Sequence, residues 1–496
     1  MAKFKRIALA VCLLLGGLLS SALYLKEFLV IKEVRIHFPL SFLKTGPELL
    51  DPDNTETIWE YYLLENLSCG LVRDSARSVT GYEGCLSDSF YQRNDTTWVF
   101  HLRELRWSDG SVVSSFEITK WIEAIASRDS RHLKFLKLIA EVKFDENSRN
   151  LEMFFSAPVD SGILHELSLA DAALFPTDFK TRGWNKTIGP YMVEAWDAAI
   201  PELKLVANKY SPLYSESMPL RATLFFVKDI SQREKLFTEY HADIVPHTAT
   251  GDPNLAKAFR KTADQEYVGH PTHIAFFFFN RGNELAKDLD SRVAFGKVIH
   301  EFQDAIKEEI SVKYGWNIES QMVPQGFHGR LSEQKENPIA GEVLQHLAKS
   351  LTVTLPENYR AFPDFCDQLQ KAFSRHGIAL RIEFQTSISA DSRIFAQVYT
   401  FVGNQLDASG SWAFLTSDGG ALKPWLSEFQ NLHDGVFSSL KRSDQEQATL
   451  ELHKAVLAKV IAVPLTVSSI RYFLSDSVDI GRWNKFDARL RIYEIR

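Results

Sequence analysis

Cysteine is scarce in this chain, with four among 496 residues. So few cysteines exclude a small scaffold held together by disulfides. The chain also has no large excess of one charge. It contains 56 Lys and Arg and 63 Asp and Glu, which gives a formal net charge of −7. The charge balance therefore gives no support for a nucleic-acid partner, which needs a basic surface. The length predicts roughly two to four domains.

The sequence also lacks the short motifs that accompany common catalytic chemistries. No G-x-S-x-G nucleophile elbow, phosphate-binding loop or dinucleotide fingerprint occurs. His165 and His300 each begin an H-E-x-x-H pattern, but the second His is missing in both. His270 and His273 would point to opposite faces of a strand, which disfavours a shared metal ion. We therefore expect a protein that is not an enzyme and that needs no cofactor.

One long uncharged run stands out, at the amino terminus. Three basic residues within the first six precede it, and 19 uncharged residues run from Ile7 to Leu25. Together with the small residues at 20–22, this pattern is typical of a signal peptide. The length is also near the minimum for one membrane span, so residues 1–25 are either a cleaved signal or an N-terminal anchor. In both cases the rest of the chain is expected in the periplasm or cell envelope.

Export makes disulfides possible, because extracytoplasmic compartments are oxidising. Cys69 and Cys85 lie 16 residues apart and flank a loop that contains glycine. This spacing allows a disulfide between them, and two small buried thiols are the alternative. Cys366 has no evident partner.

Strand-like and helix-like patterns alternate along the chain. Ser114 or Ser115, followed by Glu117, is typical of a helix start. The last long helix is expected to stop before Pro464. The clearest predicted strands are 97–102, 151–155, 203–206, 223–227, 274–279 and 378–384, and the clearest predicted helices are 115–127, 293–302, 362–375 and 445–463. This alternation predicts an α/β class with mixed α+β sheets.

Several segments resemble one family, in one order and over nearly the whole exported chain. The family is the bacterial extracellular solute-binding proteins of family 5, the oligopeptide- and dipeptide-binding receptors of ABC importers. The closest match is WVFHLRELRWSDGSVVSSFEITKWIEAI, at 98–125. The other matching segments are 49–72, 188–196 with its Gly-Pro-Tyr, 272–301, the proline–glycine loop 321–329, 362–384 and 455–467.

The resemblance implies a two-lobed fold with a ligand buried between the lobes. The first lobe would comprise 30–274 and 470–496, with an inserted subdomain at about 67–186, and the second would span 275–469. Such a receptor is expected to be a monomer that takes up a short peptide or another small solute. Its membrane partner would be an ABC permease. Closure of the lobes would be a hinge motion.

The resemblance also implies a site for the ligand's amine. In the family a carboxylate in an aspartate-tyrosine-x-aspartate-proline segment binds the ammonium group, and Asp407 aligns with the first aspartate. The following residues depart from the motif, since Ala408, Gly410 and Ser411 replace tyrosine, the second aspartate and proline. A solvated loop or capping Asp is the alternative role of Asp407, and the departures put ordinary peptide specificity in question.

Other candidate ligand contacts are aromatic or lie beside the expected cleft. Trp412, Trp425 and Tyr62 could wall the site, with core packing as the alternative for each. Ser68 and Cys69 stand where the family has tyrosine-glutamate. We predict an exported substrate-binding protein of an ABC importer. The alternative is a membrane-tethered sensory or interaction domain of the same fold that has no transport role.

Overall fold

The computed structural model describes most of the chain beyond the amino-terminal run. The described residues are 33–38, 58–75, 78, 81–128, 133, 135–176, 184, 186–197, 202–227, 229–247, 253–281, 284–327, 329–332, 347–385, 394–400, 412, 415–416, 420–438, 441–483 and 489–496.

Strands and helices alternate through the described residues, as the sequence predicts. The strands are β1 (Glu33–His37), β2 (Val72–Asp74), β3 (Tyr82–Gly84), β4 (Ser87–Asn94), β5 (Thr97–Leu102), β6 (Ile139–Asp145), β7 (Asn150–Phe155), β8 (Tyr191–Asp197), β9 (Glu202–Ala207), β10 (Arg221–Phe225), β11 (Ile244–His247), β12 (Gln265–Phe279), β13 (Asn317–Ile318), β14 (Ser350–Pro356), β15 (Ala379–Gln385), β16 (Ile394–Thr400) and β17 (Ala462–Leu474). The α-helices are α1 (Ile58–Leu67), α2 (Ser115–Ser127), α3 (Gly162–Ser168), α4 (Ile230–Arg233), α5 (Pro253–Thr262), α6 (Glu284–Lys287), α7 (Leu289–Tyr314), α8 (Pro363–Ser374), α9 (Gln430–Ser438) and α10 (Arg442–Ala458).

One mixed sheet runs through both halves of the molecule. Its order in the described part of the chain is β15-β14-β16-β12-β17-β11-β1-β10-β9-β8, with β13 added beside β17. β1 is parallel to β10 and β11, whereas β12 and β17 are antiparallel. The mixture of parallel and antiparallel pairs confirms the predicted α/β class with mixed sheets.

A separate antiparallel sheet with the order β4-β5-β7-β6 forms an inserted unit with its own core. α2 packs on it and buries Ile118, Trp121 and Ile122. The helix begins as the sequence predicts, because the Ser114 hydroxyl accepts the Glu117 amide while the Glu117 carboxylate accepts the Ser114 amide. This reciprocal cap fixes where the chain turns from the W-S-D-G segment into the helix.

Three large apolar clusters divide the fold. The first contains β1, β9 and β10 together with the carboxyl-terminal tail, for example Leu224 and Ile492. The cluster of the inserted unit runs from Cys69 to Ile188 along the chain. The third runs from Ile274 to Val467 and holds the second half of the chain. The exact lobe boundaries stay predictions.

Two long strands connect the first and third clusters. At the first-lobe end of the pair, Gln265 of β12 is opposite Leu474 of β17. At the second-lobe end, Phe277 of β12 is opposite Val463 of β17. The same two strands therefore carry core residues of both lobes. Between these halves the register of the ladder shifts at Val268, Pro271 and His273.

The predicted end of the last helix is wrong. α10 ends at Ala458, and Pro464 lies inside β17, where it pairs with Phe276. The residues from Val460 to Val467 are rich in β-branched side chains, which favour strands over helices. Val460 has a φ of 49°, which turns the chain from the helix into the strand.

Candidate functional site

The crossing between the lobes is polar, although the second-lobe halves of both strands are apolar. Thr272 and His273 of β12 and Ser468 and Ser469 of β17 are buried there. The Thr272 hydroxyl lies 3.2 Å from Nδ1 of His273, and the Ser468 hydroxyl donates to the His273 carbonyl at 3.4 Å. Proline and the register shifts weaken the ladder at this point. The crossing therefore has the features of a hinge, with fewer regular strand bonds than either half.

The loop that contains Gln325 and the end of α7 are among the second-lobe elements that contact the crossing. The loop of residues 321–327 and 329–330 lies against it, because the His270 ring is 2.5 Å from the Gln325 carbonyl and 5.8 Å from the Phe327 ring. The end of α7 approaches it at Gly315, which has a φ of 67° and lies beside the Arg471 guanidinium. A side chain at Gly315 would collide with that guanidinium. The hinge is therefore in direct contact with the loop and with the end of α7.

His453 of α10 fixes the same loop from the other side. Its Nδ1 is 2.9 Å from the Gly329 carbonyl, and its Nε2 accepts the Met322 amide at 3.0 Å. The ring is fully buried and lies 5.8 Å from the Trp412 ring. Burial lowers the pKa of His453 to about 4, against an ordinary value of 6.5. A neutral ring fits both contacts, because Nδ1 donates to the Gly329 carbonyl and Nε2 accepts from the Met322 amide.

A small cavity lies at the end of α1 in the first lobe, with a volume of about 30 Å³. This is room for one or two water molecules. Ser68, the Cys69–Cys85 pair, Asp74 and Tyr493 are among its lining residues. The Ser68 hydroxyl donates to the Leu64 carbonyl at 2.7 Å, which continues the helical turn. Ser68 therefore lies at a small recess of mixed polarity, with its hydroxyl already engaged.

A charged network closes one side of this cavity. Arg489 bonds to Glu65 and lies 3.1 Å from Asp74, which Arg491 also approaches at 3.1 Å. Arg73 joins the network through Glu494 at 3.3 Å. Burial raises the pKa of Glu65, although the two arginines act in the opposite direction. The network attaches the carboxyl-terminal tail to α1 and β2, more than 400 residues earlier in the chain.

Cys69 and Cys85 are joined by a disulfide in the structure, with Cα atoms 6.2 Å apart. It links the loop after α1 to the loop before β4, beside the cavity. The Leu86 amide donates to the Gly70 carbonyl next to it. A side chain at Gly70 would collide with the Leu167 carbonyl, so the backbone approaches α3 more closely than a larger residue allows.

We expect the double variant Cys69→Ser, Cys85→Ser to lose about 3 kcal/mol of unfolding free energy, because the loop between the cysteines gains freedom in the unfolded chain. The measurement is thermal unfolding with and without reductant. Reductant should lower the midpoint of the wild-type protein and leave that of the double variant unchanged. A double variant as stable as the oxidised wild type would show that the bridge contributes nothing.

The structure separates the predicted ligand contacts into two groups. Tyr62 is buried in the first-lobe core, 5.6 Å from the Trp59 ring, and Ser68 directly follows the end of the same helix. Trp412 and Trp425 are buried in the second-lobe core. Trp425 donates its indole N–H to the Phe279 carbonyl at 2.8 Å, whereas the Trp412 indole N–H has no hydrogen-bond partner among the described residues. Asp407 lies outside the described residues.

Sequence reasoning missed the two polar groups that the structure brings together. The hinge residues form two short polar pairs, Thr272-His273 and Ser468-Ser469, within strand patterns. The charged network joins Glu65 and Asp74 to Arg489 and Arg491, which stand two apart in the tail with an apolar residue between them. That alternation indicates two side chains on one face of an extended segment, but it does not indicate the partner.

Neither a metal site nor a membrane-spanning helix appears in the described part of the chain. No three His, Cys, Asp or Glu side chains are grouped there so that they could hold a metal ion. No helix there is both long and apolar enough to cross a membrane.

A family model identifies the protein family to which this chain belongs. The model of the bacterial extracellular solute-binding proteins, family 5 (middle), matches residues 82–420, which is more than half of the chain. The chain belongs to this family. The resemblance seen in the sequence is thus confirmed. No curated protein sequence matches the family 5 chain significantly.

Solved structures of the same family share the fold of this family 5 protein. OppA of Haemophilus influenzae, solved with the peptide RPPGFSPFR, is 13% identical with a TM-score of 0.69, over 94% of this chain and 98% of that one. NikA of Brucella suis, solved with Fe(III)-EDTA, is 13% identical with a TM-score of 0.74, over 94% and 99%. DppA of Helicobacter pylori, solved with the peptide STSA, is 12% identical with a TM-score of 0.69, over 94% and 97%. The two-lobed fold is confirmed.

Proposed function

We propose that this chain is the extracytoplasmic receptor of an ABC importer and captures a short peptide or a similar amine-bearing solute between its lobes. The observation that carries the proposal is the pair of strands β12 and β17, which connect two separate cores through a polar, irregular crossing. Such a crossing allows the lobes to open and close around a ligand. The receptor binds and releases without chemical change and is a monomer.

The proposed ligand follows from family members solved with peptides, such as OppA and DppA. The fold alone does not fix the ligand, since NikA proteins of the family are solved with metal chelates. We propose Asp407 as the group that binds the ligand's ammonium, because a buried ammonium needs a carboxylate. Trp412, which follows Asp407 closely in the chain, is the proposed aromatic wall. Delivery to a membrane permease and a periplasmic location complete the proposal.

We expect Asp407→Ala to weaken peptide binding at least about tenfold, because a hydrogen bond to a charged group contributes about 1.5–3 kcal/mol. Native mass spectrometry of the gently purified protein should show a retained peptide mass in the wild type and lose it in the variant. The matched control is Asp367→Ala, which removes an exposed carboxylate of α8 in the second lobe.

Three results would count against parts of this proposal. A retained mass that is not a peptide would support the receptor function and contradict the proposed peptide ligand. Retention of the peptide by Asp407→Ala would remove Asp407 as the anchor. An empty wild-type protein, with a melting temperature that a peptide pool does not raise, would contradict the receptor function itself.

A second candidate is a membrane-tethered sensory or interaction domain without a transport role. The uncharged run from Ile7 to Leu25 favours it, because this run is long enough to remain as an anchor. N-terminal sequencing of the mature protein distinguishes the two forms. A start near Leu23 fits a free receptor, and an intact amino terminus fits a tether.

A further inference from the structure

Large apolar side chains are concentrated at one end of the first lobe. Among the described residues, eight such side chains are exposed, and four of them are Val112, Phe116, Tyr210 and Leu220. We refer to these four as the Phe116 face. Phe116 is 68% exposed although it lies in the first turn of α2, so it contributes nothing to the core beneath that helix. Exposed apolar side chains grouped in this way indicate an interaction surface.

The backbone brings these four residues to one end of the main sheet. The Tyr210 ring lies against Gly110 of the W-S-D-G turn, and Val112 and Phe116 follow that turn. The same turn is attached to the sheet because the Ser108 amide donates to the Thr187 carbonyl at 2.9 Å. The loop after β9 and the residue before β10 complete the group, since the Ala207 amide donates to the Leu220 carbonyl.

The chain from the amino terminus enters the fold at this same end. Glu33, the first residue of β1, pairs with Arg221 of β10, and Arg221 pairs with Val206 of β9. β1 and β9 are therefore two strand spacings apart, about 10 Å. Leu220 directly precedes Arg221, and Tyr210 lies four residues after Val206. The start of β1 thus lies beside the Phe116 face.

The chain length between the apolar run and β1 is short. Seven residues, 26–32, separate Leu25 from Glu33. Even fully extended, seven residues span at most about 25 Å. If Leu25 lies at a bilayer surface, the end of the sheet that carries the Phe116 face is held within that distance of it.

The charges around the face are mostly paired with one another. Lys186 pairs with Asp109 at 3.2 Å, and Arg221 pairs with Glu194 at 2.9 Å. Lys209 instead lies over the Tyr210 ring, 5.2 Å from its centre. A nearly neutral apolar surface with a Tyr and a Lys at its edge fits the interface of a bilayer, where a Tyr ring lies at headgroup level and a Lys extends to the phosphates.

We infer that the run from Ile7 to Leu25 stays attached as an anchor and that the Phe116 face rests on the phospholipid bilayer. Anchoring raises the local concentration of the face at the membrane, so that few apolar contacts suffice to orient the lobes. The inference does not depend on which solute the protein binds. Failure of the Asp407 experiment would leave it unchanged, and its own failure would leave ligand capture unchanged.

The test uses the full chain in vesicles of phosphatidylethanolamine and phosphatidylglycerol. A nitroxide is attached to Phe116→Cys in a Cys12→Ser background, where the remaining thiol, Cys366, is buried. Its collisions with lipid-dissolved oxygen and with water-soluble chromium oxalate report its depth. We expect Phe116→Cys to place the label about 5–10 Å below the headgroup level. The matched control, Val312→Cys on α7, is 89% exposed and should place its label in water.

Every other outcome overturns the inference. A label at position 116 that is as water-exposed as the one at 312 shows that no lipid covers the face. A label shielded equally in vesicles and in detergent shows a protein contact instead of lipid. A chain isolated from its host that begins after Leu25 shows that the anchor is absent. If Phe116→Cys fails to fold, Tyr210→Cys gives the same measurement.

Discussion

Replacing Arg489 by Ala is expected to lower the unfolding free energy by about 3–5 kcal/mol, the cost of breaking a buried ion pair from one side. The Arg489 side chain is only 7% exposed, and its two carboxylate partners, Glu65 and Asp74, are 12% and 5% exposed. Removal of the guanidinium leaves both carboxylates buried. Arg491 still reaches Asp74, but Glu65 then loses its salt bridge with Arg489 and keeps only the longer-range attraction of Arg491.

The effect should be much larger than that of an exposed pair of the same chemistry. Arg93 and Glu152 also form an Arg–carboxylate pair, with side chains 43% and 24% exposed. Such pairs contribute about 0–1 kcal/mol. Arg93→Ala is therefore the matched control, and urea unfolding of both variants measures the difference. Equal losses in the two variants would show that the tail network is a surface feature without energetic importance.

The position of this network explains why its loss should affect the whole first lobe. The Asn66 side chain donates through Nδ2 to the Leu490 carbonyl, and the Ile492 backbone amide donates to Oδ1 of the same side chain. The tail is thus bonded to α1 through its backbone as well as through its charges. Loss of Arg489 would weaken the attachment of the tail to α1, while the bonds of Asn66 would remain.

Local patterns in the sequence were sufficient for many individual elements. The predicted strand 97–102 is β5, and the predicted helix 115–127 is α2 with its Ser114 cap. Both depend on neighbours within a few residues, such as alternating burial and a capping box, which a sequence displays directly. The family resemblance supplied the arrangement of the lobes, which no local pattern contains.

Long-range contacts explain the parts that sequence reasoning did not find. The run before Pro464 was predicted to be helical as a continuation of the preceding helix, but pairing with β12 makes it a strand. Glu65 and Arg489 are 424 positions apart, and nothing in either neighbourhood identifies the other. The polar hinge could not be predicted because the role of its residues depends on the pairing of β12 with β17, which lie far apart in the sequence. Tertiary context decides such positions over local propensity.

Acidification is expected to destabilise the fold well before most carboxylates protonate. Burial lowers the pKa of three histidines from 6.5, their value in the unfolded chain. The folded value is about 4 for His453, about 4 for His273 and about 3 for His37. These groups stabilise the fold fully above pH 6.5, and the contribution is lost as pH falls toward the folded values. Each such histidine lowers the free energy of unfolding by up to about 1.4 kcal/mol for every pH unit of acidification over this range.

His453 allows this prediction to be tested at one site. Protonation would place a proton on Nε2, where the Met322 amide already donates, so the contact that holds the loop would become repulsive. His453→Gln should therefore reduce the fall in unfolding free energy between pH 6.5 and 4 by about 3 kcal/mol. Leu452→Ala, a neighbour that is also fully buried, should be less stable at every pH and keep the wild-type slope. An unchanged slope in His453→Gln would show that this ring does not take up a proton on unfolding, and the loop at the hinge would need another explanation for its order.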